Sequence, residues 1–242
     1  MPDVPVLYLG DYLSAPADAG LAATAYASLD RADLARWLAH WPDLHAKALA
    51  QVEYRVHPSA RIHPTAILGA DVIVGPGAHV WEFTTVRGHT VIGPGASVGF
   101  NCEVTNAYIG AHSVLGHRIG INRTLLGDGV HLSANVTVAA IHLTRDMTQP
   151  DRETVLRLPD GLYRCGTPRF GALIGDHTQT GMNITIGPGT AIGRHCQINS
   201  HTAIGPTHVI PDHHILSPTE PPAHRARPRR ETRTPGPSAI QN

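Results

Sequence analysis

The sequence is short of the features that would place it in several common classes. Cysteine is scarce: Cys102, Cys165 and Cys196 are an odd set with no metal-type spacing, which excludes a disulfide framework and fits a reducing, cytoplasmic setting. No charge sign dominates, since 19 Lys and Arg face 19 Asp and Glu, so the balance offers nothing to attract nucleic acid. No run of about 18 apolar residues is present, and the apolar patch from Val4 to Leu9 has no basic region ahead of it, so neither a membrane span nor secretion is expected. The middle of the chain also lacks both the 3.6-residue period of a helix and the plain alternation of an isolated strand.

It has a period of six instead. Val56, Ile62, Leu68, Val74, Val80, Val86, Ile92, Val98 and Val104 each lie six residues after the one before. Two residues before most of them stands a small or slim residue: Ala60, Ala66, Val72, Ala78, Thr84, Thr90, Ala96, Cys102. Glycine follows at many corners, as in Val74-Gly75-Pro76-Gly77. Such a pattern describes short strands joined by tight corners. Each strand sends one aliphatic inward, and glycine supplies the positive φ that a corner needs. Three strands close a triangular turn of about eighteen residues, and stacked turns pair through parallel ladders, so that no turn is stable alone.

The six-residue rhythm takes a five-residue step from Val104 to Ile109 and another from Ile121 to Leu126, each removing one residue at a corner. It stops near Ile141 and resumes at Ile174, continuing to Ile210. Counting gives 22 repeat positions, roughly seven turns, which at about 4.8 Å per turn is a prism on the order of 34 Å long. Three regions follow from this: an N-terminal extension over 1–55, a coil over 56–216 interrupted by an excursion over 142–171, and a disordered tail over 217–242, where Pro, Arg, Thr and Ser dominate. In the extension, Ala and Leu enrichment from Leu21 to Tyr54 predicts helix, capped by Asp30 or Ser28, restarted at Pro42, and lying over the open end of the first coil. Within the excursion, Pro159-Asp160-Gly161 predicts a hairpin turn between Thr154–Leu158 and Leu162–Cys165. Most of the 17 histidines fall at corners, among them His57, His63, His89, His112, His177, His195 and His201, where solvent is expected.

The hexapeptide pattern resembles that of the left-handed parallel β-helix, an all-β solenoid. Two motifs narrow the resemblance. Glu103-Val104-Thr105-Asn106-Ala107-Tyr108-Ile109-Gly110 followed by Leu115-Gly116-His117, and Pro168-Arg169-Phe170-Gly171-Ala172-Leu173-Ile174-Gly175-Asp176 continuing to Thr180-Gly181-Met182-Asn183, resemble the acetyltransferase domain of bifunctional sugar-1-phosphate nucleotidyltransferase/acetyltransferases. The 55 residues ahead of the repeat are too few for a nucleotidyltransferase domain. The resemblance implies an acyltransferase using acetyl-CoA or another acyl-CoA, without a metal, acting on a small molecule as a homotrimer with sites between neighbouring prisms.

By the same resemblance the catalytic residue is His117. A neutral imidazole can take the proton from an amine or hydroxyl as it attacks a thioester. Acyl-CoA would lie along the later coils near Ala172, Thr180 and Gly181, with Arg169 or Arg194 at its phosphates. The acceptor side departs from the family: Arg87 matches its phosphate-binding arginine, but Thr105 stands for its lysine, Gly120 for its tyrosine and Asn122-Arg123 for its Gly-Asp pair. In their place the cleft offers Arg118, Arg123, His131, His142 and, one coil away, Glu82. The expected acceptor is therefore a small anionic or amino-sugar-like molecule other than glucosamine 1-phosphate. Two other classes stay open: an isomerase or cyclase that keeps His117 without CoA, and a noncatalytic scaffold.

Overall fold

The computed structural model describes residues 5–219. Most of the predicted 217–242 tail lies outside the described residues. From Val56 onward the chain winds as a parallel β-solenoid of triangular coils, the architecture expected of the left-handed β-helix. Its first face is an 8-stranded ladder from Arg61–Ile62 to Ile215–Leu216. The second runs from Ile67–Leu68 to Ala203–Ile204 and the third from Ile73–Val74 to Val209–Ile210. Every aliphatic picked out by the six-residue rhythm from Ile62 to Ile210 ends a strand or sits at its inward position, and Val56 forms a bridge to Val74. Together these residues make one continuous core with Cys102 and Cys196 in their small slots.

The two five-residue steps have a structural cause. Glu103–Ile109 and Gly120–Leu126 are long strands that bend from the second face onto the third without a loop. Asn106 and Arg123 make each bend, with φ of 49° and 48°. The excursion leaves after Val136–Val138 and returns at Ala172–Ile174. It carries the expected hairpin, Val155–Leu158 paired with Gly161–Arg164, with Gly161 at φ 146°.

The N-terminal extension departs from expectation in its position. Helices α1 (Ala19–Ala22) and α2 (Leu34–Gln51) form a layer along the third face rather than a lid over the first coil, whose Val56, Ile62 and Leu68 remain only partly buried. The physical reason lies in the outward residues of that face. Ile73, Val91, Tyr108, Leu125, Leu173 and Ala191 form an apolar stripe, and it packs with Leu34, Trp37, Leu38 and Trp41 of α2 and with Leu156 and Tyr163 of the hairpin. Burying such a stripe stabilises by about 25 cal/mol per Å². The Tyr163 hydroxyl ties the two layers together, donating to Asp33 Oδ2 at 2.7 Å and accepting from Ala35 N–H at 2.6 Å.

The cap of α2 is Asp33, which accepts from Arg36 N–H, not Asp30 or Ser28. The helix also runs through Pro42 unbroken. A chain of hydrogen bonds holds both sides of that proline: Trp41 Nε1 donates to the Tyr26 hydroxyl (3.1 Å), which lies 2.7 Å from His45 Nδ1, while His45 Nε2 lies 2.6 Å from the Asp71 carbonyl oxygen. Because Asp71 offers only an acceptor, Nε2 must carry the proton and Nδ1 must accept from Tyr26. Burial pushes the pKa of His45 down, which keeps this tautomer neutral.

Candidate functional site

His117 stands on the edge between the first and second faces, in the corner joining Val114–Leu115 to Gly120–Leu126. Its peptide is fixed on both sides. Asn135 N–H donates to the His117 carbonyl and Arg118 N–H donates to that of Phe100, each at 2.9 Å. Arg118 takes the left-handed corner position (φ 55°), and its Nε donates to Asn135 Oδ1, whose own amide donates to Asn183 Oδ1, both at 2.8 Å. A backbone anchored on two rungs thus presents an exposed imidazole to solvent.

The register places the other candidates. Glu82, Phe100 and His117 occupy equivalent corners of successive coils, because Val80 pairs with Val98 and Val98 with Leu115. Glu82 is therefore two coils from His117, not one, about 10 Å along the prism, with Phe100 between them. Glu82 lies 3.9 Å from His63 Nε2. Continuing past His117, the same edge carries Ala134 and Met182, so Gly181 and the hydroxyl-bearing Thr180 belong to its upper part. Thr180 points inward, its Oγ1 accepting from Ser133 N–H at 3.1 Å. A depression of about 230 Å³ opens here, lined by Gln179, Gly181, Gln197, Asn199 and Ser200.

A second depression, of about 260 Å³, lies on the second face beside the His117 corner. Arg87 and Glu103 form an ion pair at its rim, and Thr105, Gly120, Asn122 and Thr137 line it. The Thr105 hydroxyl is buried there without a partner among the described residues. Gly120 is unusual. Among the described glycines it is the one that combines an ordinary φ with room for a Cβ, whose nearest neighbour would be Thr137 Cγ2 at 3.7 Å. Neither backbone nor packing demands a glycine at this strand position, and its effect is to leave the depression open.

The remaining candidates do not converge on His117 within one chain. Arg123 sits at the corner between second and third faces, beside Arg169, since Gly171 N–H donates to the Arg123 carbonyl at 2.9 Å. Burial and then Arg169 lower its pKa. His131 faces outward on the first face, and His142 is buried at the root of the excursion with its Nε2 unpartnered among the described residues, its pKa lowered by burial and then by Arg152. Two of the expected acyl-CoA contacts are used elsewhere. Ala172 is fully buried inside the prism, in the same core as Ile174 and Ile192. Arg194 is a tether: it donates to Asp176 Oδ2 (3.2 Å) and to the carbonyls of Tyr12 (3.2 Å) and Gly10 (3.0 Å), holding the lead-in segment against the prism. Arg169 remains exposed. Among the described residues no group of three or more His, Cys, Asp or Glu is placed to hold a metal ion, and no helix is long and apolar enough to cross a membrane.

Residues 50–146 match the family model described as the GMPPB C-terminal domain. An uncharacterized acetyltransferase, YaiX, of Escherichia coli O6:K15:H31 is 27% identical over 103 residues, covering 43% of this chain and 42% of that protein. The carnitine operon protein CaiE of Escherichia coli K12 is 29% identical over 91 residues, covering 34% of this chain and 46% of that protein. The chain thus spans less than half the length of these curated relatives. Among solved structures, a mutant of the GDP-perosamine N-acetyl transferase of Caulobacter crescentus, in complex with CoA and GDP-perosamine, is 17% identical with a TM-score of 0.38, covering 70% of this chain and 59% of that one.

Proposed function

We propose, from the premise that the chain is a hexapeptide-repeat protein of the acetyltransferase type, that it is an acyl-CoA-dependent N- or O-acyltransferase, with acetyl as the expected group. The observation that carries the reading is the placement of His117. An imidazole on a corner anchored to two rungs stands beside an open depression on the second face and below another on the upper edge. In this reading the acyl-CoA runs along the upper edge past Gly181, and the acceptor lies on the second face near Thr105, Gly120 and Asn122. The acceptor nitrogen or oxygen attacks the thioester carbonyl while His117 takes its proton. The C–S bond then breaks, and the CoA thiolate leaves with that proton.

The acceptor is a small anionic or amino-sugar-like molecule other than glucosamine 1-phosphate, and the rewritten positions Thr105 and Gly120 support that choice. A cytoplasmic homotrimer completes the proposal. Arg123, Arg169, His131 and His142 lie away from His117 in their own chain, and a neighbouring prism is the natural way to bring such groups to the same cleft.

Calorimetric titration with acetyl-CoA and CoA tests the donor, with Arg169→Ala expected to weaken binding. A thiol-release screen of amines and alcohols then tests the chemistry, and His117→Ala should abolish turnover while leaving acetyl-CoA affinity intact. Absence of binding at millimolar acetyl-CoA would overturn the proposal.

A further inference from the structure

Arg118, Asn135 and Asn183 take the left-handed corner position on successive coils of the His117 edge, with φ of 55°, 57° and 57°. Asn101 holds the same corner one coil below, at φ 54°. Asparagine suits this conformation because its short amide bonds locally, whereas a long, flexible cation has no backbone reason to occupy it. Arg118 is nonetheless held in place. Its Nε donates to Asn135 Oδ1, and Asn135 Nδ2 donates to Asn183 Oδ1, both at 2.8 Å. The backbone of Asn135 is fixed as well, its N–H donating to the His117 carbonyl at 2.9 Å and its own carbonyl accepting from Ile184 N–H at 3.2 Å. One residue thus anchors both the peptide of His117 and the guanidinium beside it.

The side chains that hold Arg118 are neutral amides. Among the described residues Arg118 enters no ion pair, and its terminal nitrogens have no hydrogen-bond partner. The ladder therefore aims the charge without neutralising it. The guanidinium leans up the edge toward Asn135, and Arg118 is not among the residues lining the second-face depression. That upper side is where the acyl-CoA runs in the acyltransferase reading, on which this inference rests. Beside His117 the donor presents its thioester, with its phosphates a pantetheine arm away. We propose that Arg118 is a catalytic residue that stabilises the oxyanion of the transfer, and that Asn135 is the positioning residue that aims it. As the acceptor adds to the thioester carbonyl, the C=O π pair moves onto oxygen and His117 takes the proton. The guanidinium donates to that oxygen until C=O re-forms and the C–S bond breaks, the thiolate leaving with the proton from His117. A charge-assisted bond to an anionic oxygen is stronger than one to a neutral carbonyl, so the interaction favours the tetrahedral state over bound acyl-CoA.

The test needs no acceptor. Two thioethers are titrated calorimetrically into the full chain at neutral pH: S-carboxymethyl-CoA, with a carboxylate at the acyl position, and its neutral isostere S-carbamoylmethyl-CoA. The carboxylate should bind about tenfold tighter than the isostere. Arg118→Gln should erase that preference while changing isostere affinity by less than about twofold, and Arg118→Lys, which keeps the charge, should retain part of it. Asn135→Ala should lose most of the preference, and the Asn135→Ala, Arg118→Gln double variant should show no further loss of it beyond Arg118→Gln alone. A ladder that serves stability only would lower the melting temperature of Asn135→Ala and leave the preference at its wild-type size, which would overturn the assignment. So would a wild type without the preference, or a preference that survives Arg118→Gln. If neither thioether binds at millimolar concentration, the acyl-CoA reading itself fails, and this assignment falls with it.

Discussion

Two glycines beside the His117 corner, Gly99 on the preceding coil and Gly120 in the strand that follows, should respond to the same substitution with opposite sign. A Cβ on Gly99 would overlap the carbonyl oxygen of Gly116 on the next rung and stand 2.7 Å from that of Leu115. Both atoms are backbone and sit in the ladder, where Gly116 N–H donates to Leu132 and Gly99 N–H to Leu115, fixing the spacing at 2.7 and 2.8 Å. The rungs cannot separate without breaking that ladder. Gly99→Ala should therefore cost at least as much as overpacking a core, about 3 kcal/mol, or a melting temperature lower by roughly 6–12 °C for a chain of this size. Gly120→Ala meets only a methyl group at 3.7 Å and has an ordinary φ. It should stabilise by about 0.4–1 kcal/mol through the unfolded chain, raising the melting temperature by roughly 1–4 °C. Thermal unfolding followed by far-ultraviolet circular dichroism reads both. Shifts of the same sign and similar size would refute the rung spacing on which the argument rests. In the thiol-release assay the stabilised Gly120→Ala protein should in addition show a raised KM for its acceptor, since the new methyl enters the second-face depression.

Other outcomes follow from single groups. Burial holds the pKa of His45 below the ordinary value near 6.5, so the unfolded chain binds more protons than the folded one as pH falls past that point; stability is complete above about pH 6.5 and declines below it, and His45→Gln should flatten that decline in pH-dependent urea melts. His117→Ala touches an exposed side chain, so it should move the melting temperature by no more than about 1 °C while reducing turnover about 10²- to 10⁴-fold. Arg194→Ala leaves the buried Asp176 carboxylate without its cation and frees the lead-in segment, a loss of about 1.5–3 kcal/mol together with faster proteolysis ahead of α1. Leu132→Ala opens a cavity in the middle of the prism and should cost about 2–5 kcal/mol by chemical denaturation.

The solenoid was legible because its signal is repeated. One inward residue every six places, nearly always aliphatic, and a five-residue step at each bend are local rules, and the chain follows them from Val56 to Val138 and again from Ile174 to Ile210. The placement of the helices was also written in the sequence, but one residue away from where the rhythm draws the eye. The residue before each inward aliphatic points outward. On the first face those residues include Arg61, His79, Ser97, His131, Gln179 and Gln197, and on the second Thr85, Glu103, Thr137 and Thr185. On the third they are Ile73, Val91, Tyr108, Leu125, Leu173, Ala191 and Val209. Read by face rather than by strand, the pattern marks one side of the triangle as a surface that must be covered.

The site was less legible, because a period locates a residue along the coil but not what its side chain is engaged with. Arg194 and Arg169 look equivalent as cations near later coils, yet one is bound to Asp176 and two carbonyls and the other is exposed. That difference depends on Ser14, Tyr12 and Gly10, more than 160 residues away in the chain, which no local rule connects to the coil. The same holds for His45, whose partners Tyr26 and Asp71 belong to the helical layer and to the first coil respectively. What fixes the function of such groups is long-range pairing, and in this fold long-range pairing enters through the excursion and the N-terminal layer, the two parts that do not repeat. The repeat supplies a rigid edge for His117, and its non-repeating additions decide which cations stay free to meet a ligand.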